Sequence, residues 1–213
     1  AKCTETTELD DLNECDFAGC VLSKSTTLSQ REGNPKPRYL GIPEHSLSIN
    51  SMGIPNYGID FYMEYSKNVT KKPFILSISG LSVEENLELL AKAATNSNVD
   101  AVELNVSCPN VPGHSQLGYD FEGLNDFLCK VADVWCEGGS EGGVQPKPIG
   151  LKLPPYFDMA HFNEISRILI YHSKLISFIV CSNSLGNGLW VDTETETVVI
   201  KPKGGFGGIG GAP

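Results

Sequence analysis

Asn105-Val106-Ser107-Cys108-Pro109-Asn110 places a thiol between two carboxamides, at the end of an apolar run and beside a proline turn. An asparagine side chain both donates and accepts, so several together suit a planar ligand edged with alternating N–H and C=O groups. Asn50, in Ser48-Ile49-Asn50-Ser51-Met52-Gly53, and Asn183, in Cys181-Ser182-Asn183-Ser184, are candidates to join Asn105 and Asn110. Against this stands the common use of asparagine in turns and caps, and of cysteine as a small buried hydrophobe. Lys24 and Lys152 sit inside otherwise apolar runs. An ammonium in an apolar interior is costly unless paired or solvated, so two inward cations would mark a site for an anion or an electron-rich ring. For Lys24 a solvated strand end is the plainer alternative, and Lys71, Lys72, Lys201 and Lys203 read as solvated. Val111 to Gln116, punctuated by Pro and Gly, reads either as a loop that covers a ligand or as an ordinary surface loop.

Short apolar runs must position these residues. Phe17–Ser25, Phe74–Gly80, Ala101–Ser107, Ile149–Leu153 and Phe178–Ser184 read as buried strands. Between the last four lie helical patterns. Val83–Ala94 follows Ser82 as N-cap, with Glu85 at the reciprocal capping-box position. Asp120–Cys136 carries Phe121, Leu124, Leu128, Val131 and Trp135 on one face, and Met159–His172 follows Asp158. A further helix is predicted near Thr6–Asn13. Strict strand–helix alternation implies parallel strands with helical crossovers. The eight-fold β/α barrel and the open doubly wound sheet both satisfy it, and both put chemistry at the carboxyl ends of strands. Five strand units are visible, so the barrel reading makes residues 1–213 a single partial barrel domain. It would cover roughly strands 2–6, without the first strand or the last two strand–helix units.

The chain has 213 residues, 40% of them hydrophobic, and 16 Lys+Arg against 26 Asp+Glu give a net charge of -10. Such a balance speaks against nucleic acid as a partner, since phosphate neutralisation needs basic surface. No apolar run approaches the ~20 residues of a membrane-spanning helix, so no membrane partner is expected. Ala1 to Asp16 is acidic and shows neither a signal peptide nor a transit peptide. Seven cysteines, an odd number lying mostly in apolar runs, point to a reducing compartment rather than a secreted disulfide framework. Neither Cys15 with Cys20 nor Cys129 with Cys136 has Cys-x-x-Cys spacing, and His45, His114, His161 and His172 lack ligand spacing; no metal site is expected. Gly138–Gly143 reads as a flexible insert. Gly205–Gly210 formally matches G-x-G-x-x-G, but a dinucleotide fingerprint needs a following helix and an acidic residue about 20 positions on. What remains is a Gly-rich turn after Val198–Lys201, whose N–H groups can approach a phosphate or ring closely.

Seven stretches, in order along the chain, resemble one family: Gly33–Tyr39, Ser48–Asn56, Leu76–Asn86, Glu103–Gly113, Ile149–Phe162, Asn183–Leu189 and Val198–Gly211. The family is the cytosolic class 1A dihydroorotate dehydrogenases, FMN-dependent β/α barrels of pyrimidine biosynthesis. The resemblance implies oxidation of dihydroorotate to orotate through FMN, with fumarate reduced to succinate at the same site. Cys108 would be the general base at C5 while hydride leaves C6. Asn50, Asn105, Asn110, Asn183 and Ser184 would bind the pyrimidine ring and carboxylate, with Lys24 and the backbone of Met52, Gly53 and Ile54 at the carboxylate end. Lys24, Ser25, Asn105, Lys152, Ser182, Gly210 and Gly211 would line the FMN, Lys152 facing its electron-rich edge. It also implies a cytoplasmic homodimer, and an FMN phosphate held by strand–helix loops beyond this chain. Departures are Gly113-His114-Ser115-Gln116 where the family has Gly-Lys-Pro-Gln, His45 to Asn50 where it has Leu-Gly-Ser-Ile-Asn, and the insert at Gly138–Gly143. An alternative from another class is a non-catalytic relative that keeps the scaffold without flavin. A nicotinamide-dependent Rossmann enzyme built on the terminal glycines is a third.

Overall fold

The computed structural model describes residues 4–107, 116–138 and 147–211. In chain order the elements are α1 (Thr6–Glu14), β1 (Val21–Leu22), β2 (Tyr39–Ile42), β3 (Leu47–Asn50), α2 (Ile59–Tyr65), β4 (Phe74–Ile78), α3 (Val83–Thr95) and β5 (Ala101–Asn105). They continue with α4 (Phe121–Gly138), β6 (Ile149–Lys152), α5 (Met159–Tyr171), β7 (Ile176–Val180), β8 (Leu185–Leu189), β9 (Val191–Asp192), β10 (Thr197–Val198) and β11 (Phe206–Gly211).

Alternation along each strand separates two chemistries. Phe74, Leu76, Ile78, Val102, Leu104 and Leu151 join Leu89, Leu90, Leu124 and Leu128 of the covering helices in one apolar cluster. The opposite face carries Ser77, Glu103, Asn105, Gly150 and Lys152, brought side by side by the parallel register Ser77↔Glu103↔Gly150 and Asn105↔Lys152. Gly150 is required there, because an added Cβ would meet the Phe178 ring at 2.0 Å. Local signals start the helices. Ser82 Oγ accepts from Glu85 N at 3.1 Å, and Asp158 Oδ1 from His161 N at 2.9 Å. The Glu85 carboxylate does not close the expected capping box. It reaches Leu81 N (2.7 Å) and Leu28 N (3.0 Å), tying α3 to the segment after β1.

The parallel strands lie in the order β1-β4-β5-β6-β7, each beside its predecessor in the chain. A doubly wound sheet reverses its strand order at a switch point, whereas a barrel adds each strand to the same side. This order is therefore an arc of a β/α barrel, and the open-sheet alternative falls. Two strands are shorter than their apolar runs. In Phe17–Ser25 only Val21–Leu22 is regular, although Ser23 N and Thr26 N still donate to Ile75 O and Ser77 O. The last run starts earlier, at Ile176, and ends at Val180, so that Asn183 turns back to donate its N–H to Leu153 O at 3.0 Å.

A second sheet, β2-β3-β11-β8, is antiparallel and was not expected. Its centre is the glycine run. The stretch anticipated as a phosphate-approaching turn is instead a strand, pairing Gly208 with Asn50 and Gly210 with Ser48 on one side and Phe206 with Leu189 on the other. Glycine is used because there is no room: a Cβ on Gly207 would meet Asn50 O at 2.4 Å, and one on Gly208 would meet Ser184 Oγ at 2.1 Å.

Candidate active site

Where the carboxyl ends of the parallel strands meet the antiparallel sheet, the described residues enclose a cavity of about 1110 Å³. That is slightly above the ~300–1,000 Å³ usual for small-ligand sites. Of the residues singled out from sequence, Lys24, Ser25, Asn50, Met52, Gly53, Ile54, Asn105, Lys152, Asn183 and Ser184 all line it. Ser182, Gly210 and Gly211 are not among its lining. Ser182 is exposed, its Oγ donating to Asn183 O at 3.2 Å. Gly210 and Gly211 are spent on pairing with Ser48 and Leu47, and Phe206, Gly207 and Gly208 take their place at the cavity. Cys108 and Asn110, with the His114-Ser115 change and the insert, lie outside the described residues.

Hydrogen bonds fix the carboxamides. Asn105 Nδ2 donates to Ser25 Oγ (3.1 Å), and its Oδ1 accepts from Ser107 Oγ (3.1 Å). Asn183 Nδ2 donates to Ser107 Oγ at 2.5 Å, and its Oδ1 accepts from Ser184 N at 2.8 Å. Asn50 Nδ2 donates to Gly208 O at 3.1 Å. The site is thus sewn across three strand ends and both sheets.

The loop carrying Met52, Gly53 and Ile54 is locked into the Gly33-Asn34 segment. Asn34 N donates to Met52 O (2.9 Å), and Asn34 Nδ2 to Ser51 O (2.9 Å). Gly53 has φ +72°, and a Cβ there would meet Asn34 Oδ1 at 2.5 Å. Ile54, a β-branched residue at φ 53°, holds a conformation such side chains rarely adopt. Buried Asn56 keeps it there: its Nδ2 donates to Ile54 O (3.0 Å), and its Oδ1 accepts from Thr26 Oγ1 (3.0 Å) and Gly58 N (2.8 Å). Tyr119 Oη donates to Pro155 O, after β6 (2.7 Å), and Tyr156 Oη to Gly118 O (2.6 Å). Burial raises the pKa of both phenols, so they stay neutral donors. This reciprocal latch roots the Gly118-Tyr119 turn onto the segment after β6.

Five cations line the cavity, Lys24, Lys36, Arg38, Lys152 and Lys203, against the carboxylates Glu5 and Glu8. In a chain of net charge -10 this is a local inversion of sign, suited to anionic ligands. Lys203, expected to be merely solvated, belongs to it. Sequence reasoning also passed over Asn56 and Glu103, and gave Ser107 no role of its own. Glu103 carries the signal that drew attention to Lys152, a charge within an apolar run.

The family model for dihydroorotate dehydrogenase matches residues 2–213. The dihydroorotate dehydrogenase (fumarate) of Lachancea kluyveri is 49% identical over 98% of this chain and 63% of its own length. That of Trypanosoma brucei brucei is 48% identical over 98% of this chain and 64% of its own. The chain therefore spans less than two thirds of these curated relatives. Among solved structures, a ligand-free DHODH from Eimeria tenella superposes with a TM-score of 0.74 over 99% of this chain and 62% of that one. At 16% identity it supports the fold alone, a β/α barrel of which this chain is part. With match, identity and strand order in agreement, the chain belongs to the dihydroorotate dehydrogenase family.

Proposed function

We propose that this chain forms the substrate-facing part of an FMN-dependent enzyme that oxidises dihydroorotate to orotate and returns the electrons to fumarate. One observation carries the reading: Lys24, Asn50, Asn105, Lys152, Asn183 and Ser184, from separate strand ends, line one cation-rich cavity. The fit to a flavin and a pyrimidine is chemical as well as spatial. The carboxamides offer donors and acceptors to imide-like edges, the lysines offer positive charge, and Gly207 and Gly208 present backbone without side chains. When bound, the FMN supplies the hydride acceptor.

The chain's own residues do the rest. Asn105 and Asn183, tied to each other through Ser107, hold the pyrimidine ring in one orientation. Lys24 and the backbone at Met52–Ile54 take its carboxylate. Lys152, the register neighbour of Asn105, would offer positive charge to the electron-rich edge of a bound flavin. Cys108, as a thiolate, would accept the C5 proton while the hydride leaves C6. We place the protein in the cytoplasm as a homodimer on the same reading; among the described residues no helix is long and apolar enough to cross a membrane.

Anaerobic addition of dihydroorotate to the FMN-loaded protein carrying this chain tests the proposal. The flavin absorbance bleaches, and Cys108→Ala keeps its flavin while bleaching about 10²- to 10⁴-fold more slowly. Protein that FMN cannot turn yellow, or a Cys108→Ala variant bleaching at the wild-type rate, contradicts it.

A further inference from the structure

Glu103 is 1% exposed in the middle of β5, and its Oε2 has no hydrogen-bond partner among the described residues. An apolar residue would suit that strand better for stability, because an unmet buried carboxylate oxygen is a cost. Its other oxygen opens a continuous path to the site. Ser77 Oγ donates to Glu103 Oε1 at 2.6 Å, Ser77 and Ser25 share a hydrogen bond between their Oγ atoms at 2.8 Å, and Asn105 Nδ2 donates to Ser25 Oγ at 3.1 Å. On the far side of Asn105, Ser107 Oγ donates to its Oδ1 at 3.1 Å and itself accepts from Asn183 Nδ2 at 2.5 Å.

Each hydroxyl has one proton, and a carboxylate accepts without donating. Two backbone donors fix the far end of the path, Ser107 N to Asn105 Oδ1 at 3.3 Å and Ser184 N to Asn183 Oδ1 at 2.8 Å, and the buried carboxylate demands the same sense. Ser77 spends its proton on Glu103, so it must accept from Ser25. Ser25 therefore accepts from Asn105, which turns Nδ2 toward Ser25 and Oδ1 toward Ser107. Ser107 gives its proton to that Oδ1, and so it accepts from Asn183. We infer that Glu103 is a positioning residue: as an acceptor with no proton to give, it holds Ser77 and Ser25 in the sense that leaves Asn105 Nδ2 its partner, reinforcing the carboxamide orientation that the Ser107 and Ser184 backbone N–H groups favour, without touching the ligand. The inference rests on the site reading above and names the residue that anchors the buried end of the site's hydrogen-bond path.

Orotate affinity, read from the flavin absorbance change in the FMN-loaded protein, tests it in Glu103→Gln, Ser77→Ala, Ser77→Thr and the Glu103→Gln/Ser77→Ala double variant. A glutamine can donate to Ser77 and so release the direction of the path. Glu103→Gln and Ser77→Ala each weaken orotate binding about tenfold, the price of one misoriented hydrogen bond. Ser77→Thr, which keeps the hydroxyl, binds as wild type, and the double variant is no weaker than Ser77→Ala, because both changes cut the same path. Wild-type affinity in Glu103→Gln and Ser77→Ala, or losses that multiply in the double variant, overturns the inference. Should Glu103→Gln not fold, equal binding by Ser77→Ala and Ser77→Thr overturns it alone. A wild-type protein whose flavin does not respond to orotate counts instead against the site reading.

Discussion

The parallel and antiparallel sheets build the cavity by opposite means. In the parallel sheet the helix-facing residues are buried, with Leu76, Ile78 and Leu151 each 0% exposed, and the polar side chains project from a rigid backing. In the antiparallel sheet Leu185, Leu189 and Phe206 are exposed, and the site is formed by close backbone approach across glycines. Asn105 and Lys152 thus owe their positions to packing, whereas Asn50 and Ser184 owe theirs to the absence of a side chain on Gly208. Damage to the first sheet is expected to register as lost stability, and damage to the second as lost ligand binding.

Leu104→Ala probes the packed side. At 1% exposure this truncation removes buried methyl groups and leaves a cavity, costing about 2–5 kcal/mol in denaturant unfolding. Gly208→Ala probes the other side. Its methyl would collide with Ser184 Oγ and disturb the β3–β11–β8 seam, a strain of about 1–3 kcal/mol. The comparison requires that this variant lose orotate-induced flavin perturbation by more than its melting temperature falls. A variant equally hurt in both would erase the distinction.

A pH dependence belongs to the packed side as well. His172 is buried at the end of α5, with Nε2 hydrogen-bonded to Asn125 Oδ1 at 3.0 Å, and burial lowers its pKa. The imidazole is then neutral in the fold, and the unfolded chain binds the extra proton. Stability from this group is complete above the ordinary imidazole pKa of about 6.5 and is lost as the pH falls below it. His172→Gln is expected to flatten that fall in thermal melts between about pH 7 and 5, and an unchanged slope would show the group to be indifferent. The smallest effect belongs to exposed ion pairs. Lys71→Ala, which removes the contact to Glu14, should change unfolding free energy by no more than about 1 kcal/mol.

The parallel arc was legible in the sequence because its strands are continuous apolar runs separated by amphipathic helices, a pattern that burial on both faces imposes. Asn105, Lys152 and Asn183 were legible for the same reason, as polar residues at the ends of such runs. The antiparallel sheet was not. Its central strand, Phe206–Gly211, is mostly glycine, and glycine signals a turn unless the neighbours that exclude a side chain are known. The inversion of charge at the cavity was equally hidden, since Lys203 joins Lys36 and Arg38 only in the fold. Glu103 was visible but unread, because a single acid in a strand gives no sign of the serines, 26 and 78 residues away, that link it to Asn105.

The account depends on thiol, carboxamides and lysine converging on one flat ligand. A crystal structure of the protein carrying this chain, bound to FMN and orotate, measures that directly. The expected result has the pyrimidine within hydrogen-bond distance of Asn105 and Asn183, the Cys108 sulfur over the ring face opposite the flavin, and Lys152 against the isoalloxazine. Orotate bound elsewhere, or Cys108 turned to the outer wall away from Asn50 and Asn183, would contradict it.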